Sequence, residues 1–318
     1  MQDFKLQDKA RTRKPQLVIL GGGAIGSVLA AALAQKPGLE SLLVGRAAHV
    51  QAINEHGLAV DGLFDSPVRL DARTAIDFPL DDTLLLVTVK AVDLEASLRS
   101  LAPWLQPTTS LVLLQNGYGI KELALRALRG TPVAPGNVFI GIVAMGVTLI
   151  GPGRVRCFGG NIRFEPAFAT SPFFELFSGL PLKSEISKDI DRDLWTKLLV
   201  NAVINPLSVL LQGHNRLVAE ARFDPLKGPI IEEGVNVAAA AGVRLSMDTV
   251  FVNRFITSDN ITSMLQDFRR GRNTEIDFIN GAIVALGKKH AIATPVNTYM
   301  VALVKALEQL QRERLASS

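Results

Sequence analysis

Three polar residues, Lys197, Asn201 and Asn205, interrupt the otherwise apolar segment LWTKLLVNAVINPL at intervals of four. Four residues advance an α-helix by about 400°, so the three side chains share one narrow face, each about 40° from the last. We call these three residues the polar stripe. Because burying an ammonium and two carboxamides without partners costs several kcal/mol, the stripe predicts a wet cleft or a ligand site along this helix.

The polar stripe contains groups suited to the reduction of a carbonyl. A lysine ammonium can give a proton to the carbonyl oxygen while a nicotinamide hydride attacks the carbon, and two carboxamides can orient the substrate. Partial desolvation would favour the neutral amine and lower the lysine pKa toward the working range of an acid catalyst. The spacing alone also fits a snorkelling lysine and two amides on a helix surface.

A glycine turn lies near the N-terminus, in QLVILGGGAIGSVLAAALAQ. Gly21, Gly23 and Gly26 form the pattern G-x-G-x-x-G between a short aliphatic run and a helical pattern rich in Ala and Leu. In dinucleotide-binding folds the first glycine makes the tight turn, the second admits pyrophosphate, and the third allows close helix packing. The βα context favours dinucleotide binding over a plain turn at a strand end.

The residue after the next predicted strand, SLLVGR, bears on the choice of cofactor. NAD enzymes normally place Asp or Glu there, about 20 residues after the glycine turn, to hold the ribose 2′-hydroxyl. This chain has Gly45 and Arg46 instead. Because arginine prefers a 2′-phosphate, we expect NADPH rather than NADH, the alternative being that Arg46 is an ordinary exposed arginine.

Further polar residues stand where ligand contacts are expected. Lys90 closes the run LLLVTVK and Asn116 closes LVLLQNG, at the ends of predicted parallel strands, although each also fits a solvated loop. In DNITSMLQDFRRGRNTEIDFING, Asn260 and Ser263 are predicted to share a helical face, and Glu275 is predicted to open the next helix. Taken alone, this second cluster fits helix-start residues better than a ligand site.

The surrounding pattern predicts two domains. Aliphatic runs alternate with helical stretches up to about residue 140, which indicates a doubly wound parallel sheet, and short β-type pieces from Gly141 to Glu165 indicate an antiparallel extension. From about Asp189 onward nearly every segment has helical periodicity. We therefore predict a tail at 1–14, a Rossmann-type domain at 15–186 and an all-α domain at 187–318. In the all-α domain we expect Pro206, Pro225 and Pro229 to mark helix boundaries, and Ser258 and Asp259 to act as helix caps.

Composition excludes several classes of function. The 318 residues carry a net charge of only +4, which does not argue for nucleic acid. A single cysteine, Cys157, excludes an internal disulfide framework, and Cys and His never cluster with metal-ligand spacing, so we expect no metal and a reducing cytoplasm. The N-terminus has no apolar run, and Val138 to Ile150 is shorter than the about 20 residues that cross a bilayer, so we expect no membrane contact.

Six segments together resemble the ketopantoate reductase (2-dehydropantoate 2-reductase) family, from about Leu17 to the last helix. They are GGGAIG, VTVKA, QNG, LWTKLLVNAVINPL, NITSMLQD and TEIDFING. The resemblance implies NADPH-dependent reduction of 2-dehydropantoate to pantoate, a step toward pantothenate and coenzyme A. It is carried by several polar positions that match in order, which chance turn chemistry would not produce.

The resemblance also implies roles for individual residues. Lys197 would be the proton donor, and Glu275 would lie between substrate and cofactor. Substrate contacts would come from Asn116, Asn201, Asn205, Asn215 and Ser263, with Asn260 nearby. Cofactor contacts would come from Gly21, Gly22, Gly23, Ala24, Ile25, Gly26, Arg46, Lys90, Asn116, Val147 and Glu275.

Two departures from the family leave the substrate open. Where many members have a Thr-Thr-His-Gly-like run, this chain has Val143, Ala144 and Met145, so the wall beside the nicotinamide is expected to be apolar. Asn215 is followed by Arg216 rather than glycine. A reductase of another branched 2-oxo acid or an imine therefore remains an alternative, as does a module that senses NADPH without catalysis. The apolar final helices could cover the core or the partner of a homodimer.

Overall fold

The computed structural model describes residues 14–256 and 260–317. They pack as two compact units. The first contains the described residues up to Gln115 together with Lys121–Lys188, and the second contains Asn116–Ile120 with the described residues from Asp189 onward. The predicted division at 186/187 differs from this mainly at residues 116–120, which pack with the second unit. The predicted tail, apart from Lys14, and the predicted caps Ser258 and Asp259 lie outside the described residues.

The first unit is built on a mixed sheet of nine strands within the described chain, which confirms the predicted α/β class. The order is β3-β8-β7-β6-β5-β1-β2-β4, with β9 also paired to β8. The strands are β1 (Leu17–Leu20), β2 (Ser41–Val44), β3 (Ala59–Asp61), β4 (Asp71–Arg73), β5 (Leu84–Val87), β6 (Ser110–Leu113), β7 (Val138–Gly151), β8 (Arg154–Phe164) and β9 (Lys183–Ile186).

The strands that run from β4 to β7 across the sheet, in the order β4-β2-β1-β5-β6-β7, are parallel. Their apolar sequences fit this arrangement. Every residue of β1, β5 and β6 is buried, as expected for strands covered on both faces. Leu20 pairs with both Val44 and Val87, so the segments after β1, β2 and β5 leave the sheet at one edge. The helices of this unit are α1 (Ala24–Leu33), α2 (Ala47–His56), α3 (Leu94–Ser100) and α4 (Ile120–Ala127), of which Ile120 packs with the second unit.

The predicted antiparallel extension is confirmed by the pairing of β7 with β8. Their register shifts between Met145 and Val147, which marks a β-bulge. Parallel pairing then adds β3 to the start of β8 and β9 to its end. The bulge falls in the apolar segment that sequence analysis associated with the nicotinamide.

The second unit is helical, and its described residues from Asp189 onward contain no strand. Its core includes Trp195, Val203 and Leu265, each 0% exposed. The helices are α5 (Ile190–Leu211), α6 (Asn215–Ala219), α7 (Asp224–Ala240), α8 (Thr249–Arg254), α9 (Ser263–Arg269), α10 (Asn280–Lys289) and α11 (Pro295–Ala316).

Helix α5 carries the polar stripe through the middle of this unit. Asp189 caps its N-terminus by accepting a hydrogen bond from the Arg192 N–H at 3.0 Å, and Gln212 ends it in the left-handed conformation. The helix is long and apolar enough to cross a membrane by length and composition. Half of its 22 residues are buried in the second unit, however, as in the core helix of a soluble protein.

Two of the prolines predicted to mark helix boundaries lie inside helices. Pro206 lies inside α5 and Pro229 inside α7, so neither separates two helices. Pro225 and Pro295 lie in the first turns of α7 and α11, where a missing N–H costs nothing. The sequence rule fails at Pro206 because tertiary hydrogen bonds replace the one that the proline removes.

Candidate active site

The glycine turn forms where sequence analysis placed it, between β1 and α1. Gly21 has φ +120, and a Cβ there would lie 2.7 Å from the Val89 nitrogen. A Cβ on Gly26 would overlap the Gly21 carbonyl oxygen and lie 2.5 Å from Oγ1 of Thr88. That hydroxyl donates to the Gly21 carbonyl at 2.8 Å. The turn is therefore fixed by β5 and tolerates no side chain at these two positions.

The N-terminus of α1 has the features of a phosphate site. A Cβ on Gly23 would meet nothing within 4 Å, and no side chain caps the helix within the described chain. Backbone N–H groups of the first turn, which begins at Ala24 and Ile25, point out of a helix that carries partial positive charge at this end. Open space in front of Gly23 fits the close approach of a pyrophosphate.

The other predicted cofactor residues of the first unit are accessible to a ligand to different degrees. Arg46 is exposed and begins α2 as its N-cap residue. Lys90 is partly buried and begins a 3₁₀ turn at Ala91–Asp93. Val147 is partly buried at the β7 bulge, and Gly22 packs its backbone against Gly45. Arg46 follows β2 and is exposed, so its guanidinium is accessible to an anionic ligand.

In the second unit, the polar stripe enters the protein interior as it runs along α5. Lys197 and Asn201 are partly buried, and Asn205 is 3% exposed. The stripe is therefore not a row of solvated surface groups. This burial disfavours the alternative in which a snorkelling lysine accompanies two surface amides.

Burial and one carboxylate determine the charge of Lys197. Desolvation lowers the pKa of its ammonium from 10.5 to about 8, and the Coulombic attraction of Glu275 opposes that shift. Glu275 is itself only 9% exposed. A lysine with a pKa near 8 remains mostly protonated at neutral pH yet releases its proton readily, which is the property of a general acid.

Glu275 is held by the segment that follows β6. Asn116 donates from Nδ2 to Oε2 of Glu275 at 3.3 Å, and the Tyr118 N–H donates to the Phe278 carbonyl at 3.0 Å. Gly117, at φ +104, lets the two segments approach, since a Cβ there would lie 2.5 Å from the Phe278 oxygen. Asn116 therefore lies beside the Glu275 carboxylate, and its position after a strand did not predict this contact.

The second polar cluster is assembled differently from the prediction. Asn260 precedes α9 instead of lying within it, so Asn260 and Ser263 do not share a helical face. Thr262 caps α9 by accepting the Leu265 N–H at 3.0 Å. Asn260 instead meets Asn215, whose N–H donates to the Asn260 carbonyl at 2.9 Å. Glu275 likewise precedes a 3₁₀ turn at Ile276–Phe278, and the next α-helix begins at Asn280.

Asn215 offers an acceptor to a ligand. It is the first residue of α6, and its Oδ1 is buried without a hydrogen-bond partner among the described residues. An orphaned buried acceptor is costly unless a ligand or a water fills the place of the donor. Ser263, at the first position of α9, is exposed. Within residues 14–256 and 260–317, no group of three or more His, Cys, Asp or Glu side chains could hold a metal ion.

Comparison with known proteins identifies the family of the chain. The family model described as ketopantoate reductase PanE/ApbA matches residues 17–166, and its C-terminal counterpart matches residues 189–308. The chain belongs to the ketopantoate reductase family. The 2-dehydropantoate 2-reductase of Pyrococcus horikoshii is 32% identical over 305 residues, which cover 93% of this chain and 98% of that protein. That of Pyrococcus abyssi is 31% identical and covers 94% and 100%.

Two solved structures resemble this ketopantoate reductase family member equally in fold. A PanE/ApbA family ketopantoate reductase from Ralstonia eutropha JMP134 has a TM-score of 0.82 at 30% identity, covering 93% of this chain and 99% of that chain. A D-mandelate dehydrogenase with NADH and anilino(oxo)acetate has a TM-score of 0.82 at 29% identity, with the same coverage. Family membership makes the chain an oxidoreductase that uses a nicotinamide cofactor on a small molecule.

Several residues that hold the site together were not predicted from the sequence. Asn280 donates to the Ala202 carbonyl at 3.0 Å, and Ser208 and Thr262 lie 2.5 Å apart between their hydroxyl oxygens. Buried Lys227 donates to the Val218 carbonyl at 3.1 Å, at the end of α6. The asparagine in TEIDFING was a usable signal, because a polar residue among apolar ones asks for a partner, but the partner is distant in sequence.

The lowered pKa of Lys197 predicts a measurable effect on stability. The unfolded chain binds more protons than the native state between pH 8 and 10.5, so the free energy of unfolding rises with pH in that window. Below pH 8 the native state bears the full cost of the buried ammonium. We expect Lys197→Met to stabilise the protein at pH 7 by about 1 to 3 kcal/mol and to lose that pH-dependent rise.

Urea unfolding of the two proteins at pH 7 and at pH 10 measures the difference. Lys289→Met, at an exposed lysine of α10, is the matched control and should leave the midpoint nearly unchanged. Equal stability of Lys197→Met and the native protein at both pH values would contradict the desolvation of Lys197.

Proposed function

We propose that the protein reduces 2-dehydropantoate to (R)-pantoate with NADPH, using Lys197 as the proton donor. The observation that carries the proposal is the partly buried Lys197 on one face of α5. Its pKa is about 8, and the charge of Glu275 acts on its ammonium. Residues 15–186 would bind the cofactor and residues 187–318 the substrate, with Asn116 contributing beside Glu275. Similarity to curated 2-dehydropantoate 2-reductases from several organisms supports the choice of substrate.

The reaction adds a hydride and a proton across the C2 carbonyl. When bound, a dihydronicotinamide would supply the hydride to the carbon. Lys197 donates its proton to the carbonyl oxygen as negative charge develops there, which leaves a neutral amine and a C2 hydroxyl. Glu275 keeps the ammonium form of Lys197 populated before transfer, because its charge raises the pKa that burial lowers.

The remaining polar groups match the substrate's own polar groups. Asn201 and Asn205 present carboxamides on the same face as Lys197 and would orient the keto acid. The unpartnered Oδ1 of Asn215 would accept a hydrogen bond from the C4 hydroxyl of 2-dehydropantoate. Ser263, beside Asn260 in sequence, would contact the carboxylate or that hydroxyl.

The cofactor proposal rests on the first unit. The open space at Gly23 and the uncapped start of α1 would receive the pyrophosphate, with Gly21, Gly22 and Gly26 shaping the turn. Exposed Arg46 after β2 would pair with the 2′-phosphate, and Lys90 and Val147 would complete the contacts. We therefore propose NADPH over NADH.

A second candidate substrate class is a more apolar 2-oxo acid. Val143, at 4% exposure, Ala144 and Met145 replace the polar run that the family often carries in β7. The structure of D-mandelate dehydrogenase that resembles this chain contains anilino(oxo)acetate, a 2-oxo compound with an aryl group. We expect this substrate class to be favoured if the apolar segment contacts the substrate.

We also propose that the protein is a cytoplasmic homodimer. Tyr299, Leu303 and Leu310 of α11 are 68%, 45% and 49% exposed and follow one another at helical spacing. An apolar stripe of this kind is costly in water and suits a second copy of the same helix.

A Leu303→Lys substitution should lower the mass measured by light scattering to that of one chain, whereas Gln309→Lys on the same helix should not.

Turnover by Lys197 variants tests the proposed chemistry. Lys197→Ala should lower kcat for 2-dehydropantoate at least about 100-fold, because the proton donor is lost, while NADPH binding followed by fluorescence stays unchanged. In the native protein the rate of reduction should fall as pH rises through about 8, where Lys197 loses its proton. That decline should be absent from the residual activity of Lys197→Ala.

Exposed Lys289→Ala serves as the control, with native kcat expected. Undiminished turnover by folded Lys197→Ala would show that another group donates the proton. Comparing kcat/KM for 2-dehydropantoate with that for 2-oxo-2-phenylacetate separates the two substrate classes, since a much larger value for the aryl acid would favour the second.

Cofactor preference tests the role of Arg46. Arg46→Ala should raise KM for NADPH about tenfold while changing KM for NADH little, because only the 2′-phosphate loses a charged partner. Arg69→Ala, which removes another exposed arginine of the first unit, is the control. Equal effects of Arg46→Ala on both cofactors would exclude a 2′-phosphate contact.

A further inference from the structure

The most polar stretch of the site lies beside a break in the hydrogen bonding of α5. Pro206 is inside this helix and has no N–H, so the Ala202 carbonyl four residues earlier lacks its helical donor. Ala202 is 0% exposed, so water does not supply one readily. A buried carbonyl in this position requires a donor from elsewhere in the fold.

Asn280 provides that donor. Its Nδ2 lies 3.0 Å from the Ala202 oxygen, and its side chain is fully buried at the start of α10. The second hydrogen of the same amide goes to Oδ1 of Asn297 at 2.9 Å. Turning the amide around would place its oxygen against two acceptors, so the two donations fix its orientation.

Asn297 is fixed in its turn by Glu233. The Glu233 carboxylate accepts from the Val296 N–H at 2.7 Å, from the Asn297 N–H at 2.9 Å and from Nδ2 of Asn297 at 2.8 Å. These bonds join the start of α11 to α7. The donor that reaches Ala202 is therefore part of a buried network that spans four helices rather than a side chain free to move.

The bond between Asn280 and Ala202 connects the two charged residues of the site. Asn280 stands five residues after Glu275, and Ala202 stands five residues after Lys197 and next to Asn201. An ordinary residue at 206 would satisfy the Ala202 carbonyl within α5, and the bond from the Glu275 segment would not be required. Pro206 thus exchanges a helical hydrogen bond for one between segments.

We propose that Asn280 is a positioning residue that replaces the missing N–H of Pro206 and thereby sets the place of Lys197 relative to Glu275. The inference rests on the proposed function for its catalytic consequence. The contacts alone support its structural part. With proline at 206, the Ala202 carbonyl needs the Asn280 donor, and the place of Lys197 on α5 depends on that bond. The positioning role of Asn280 requires no contact with substrate or cofactor.

A double-mutant cycle tests the proposal, with the native protein, Asn280→Leu, Pro206→Ala and the double variant. Asn280→Leu keeps the side-chain volume and removes the donor, so kcat should fall about tenfold with a smaller change in KM. In the Pro206→Ala background the restored N–H satisfies Ala202. There the same substitution should cost less than about threefold in kcat.

The pKa of Lys197 gives a readout that a general loss of stability would not move. It can be measured in all four proteins by competitive acetylation across pH followed by peptide mass spectrometry. Asn280→Leu should raise this pKa toward 10.5, because a displaced α5 admits water to the amine. The double variant should return it to about the native value.

Asn137→Leu is the matched control, because it removes another asparagine bonded to a backbone carbonyl, that of Pro107 at 3.0 Å. It should change neither kcat nor the Lys197 pKa. If Asn280→Leu does not fold, the same cycle is run with Asn280→Asp, which keeps the shape and loses the amide donor.

Equal costs of the Asn280 substitution in both backgrounds, with the Lys197 pKa unchanged, would overturn the proposal. If the protein reduced no 2-oxo acid, the proposed function would fail, while the acetylation cycle would still decide the role of Asn280.

Discussion

The second unit depends on the balance between desolvation and charge at Lys197. Removing an ammonium from water lowers its pKa to about 8, and the carboxylate of Glu275 limits the loss. Either effect alone would suit the proposed proton donor poorly: a fully solvated lysine holds its proton too firmly at neutral pH, and an isolated buried one is mostly neutral. The position of Glu275 relative to α5 therefore has to be maintained closely, and much of the surrounding hydrogen bonding does this.

Two sets of hydrogen bonds hold α5 on either side of Pro206. Before the proline, Asn280 bonds the Ala202 carbonyl. After it, the Ser208 hydroxyl donates to the Asn205 carbonyl at 2.8 Å, so the Thr262 hydroxyl must donate to Ser208. Thr262 in turn accepts the N–H of Leu265. The polar stripe is thus tied to the segment that follows Glu275 and to the helix that begins at Ser263.

A third tie holds the end of α6, the helix that begins at Asn215. The ammonium of Lys227 is fully buried and donates to the carbonyls of Val218 and Glu220 and to Oδ1 of Asn253. It also pairs with Asp224 at 2.6 Å, and this hydrogen bond lowers the pKa of that carboxyl. Unlike Lys197, Lys227 has partners for its charge on several sides, so it serves the fold rather than proton transfer.

Sequence periodicity predicted what depends on local patterns, and missed what depends on distant partners. The glycine turn, the buried strands and the single face of the polar stripe follow from spacing, so they could be predicted. Pro206 was assigned to a break because its replacement donor, Asn280, lies 74 residues later. Asn260 was placed on a helix because the cap at Thr262 competes with equally good caps before it. The packing of Asn116 against Glu275 has no local signature.

The two units also differ in how far their chemistry can vary. Around the glycine turn, the fit to a dinucleotide comes from backbone and from missing side chains, and substitution at Gly21 or Gly26 meets Thr88 and Val89 directly. In the second unit the proposed substrate contacts come from side chains, such as the orphaned Oδ1 of Asn215. A ketopantoate reductase and a D-mandelate dehydrogenase accordingly resemble this chain to the same TM-score of 0.82. A fold common to both leaves substrate choice to the side chains that line the site.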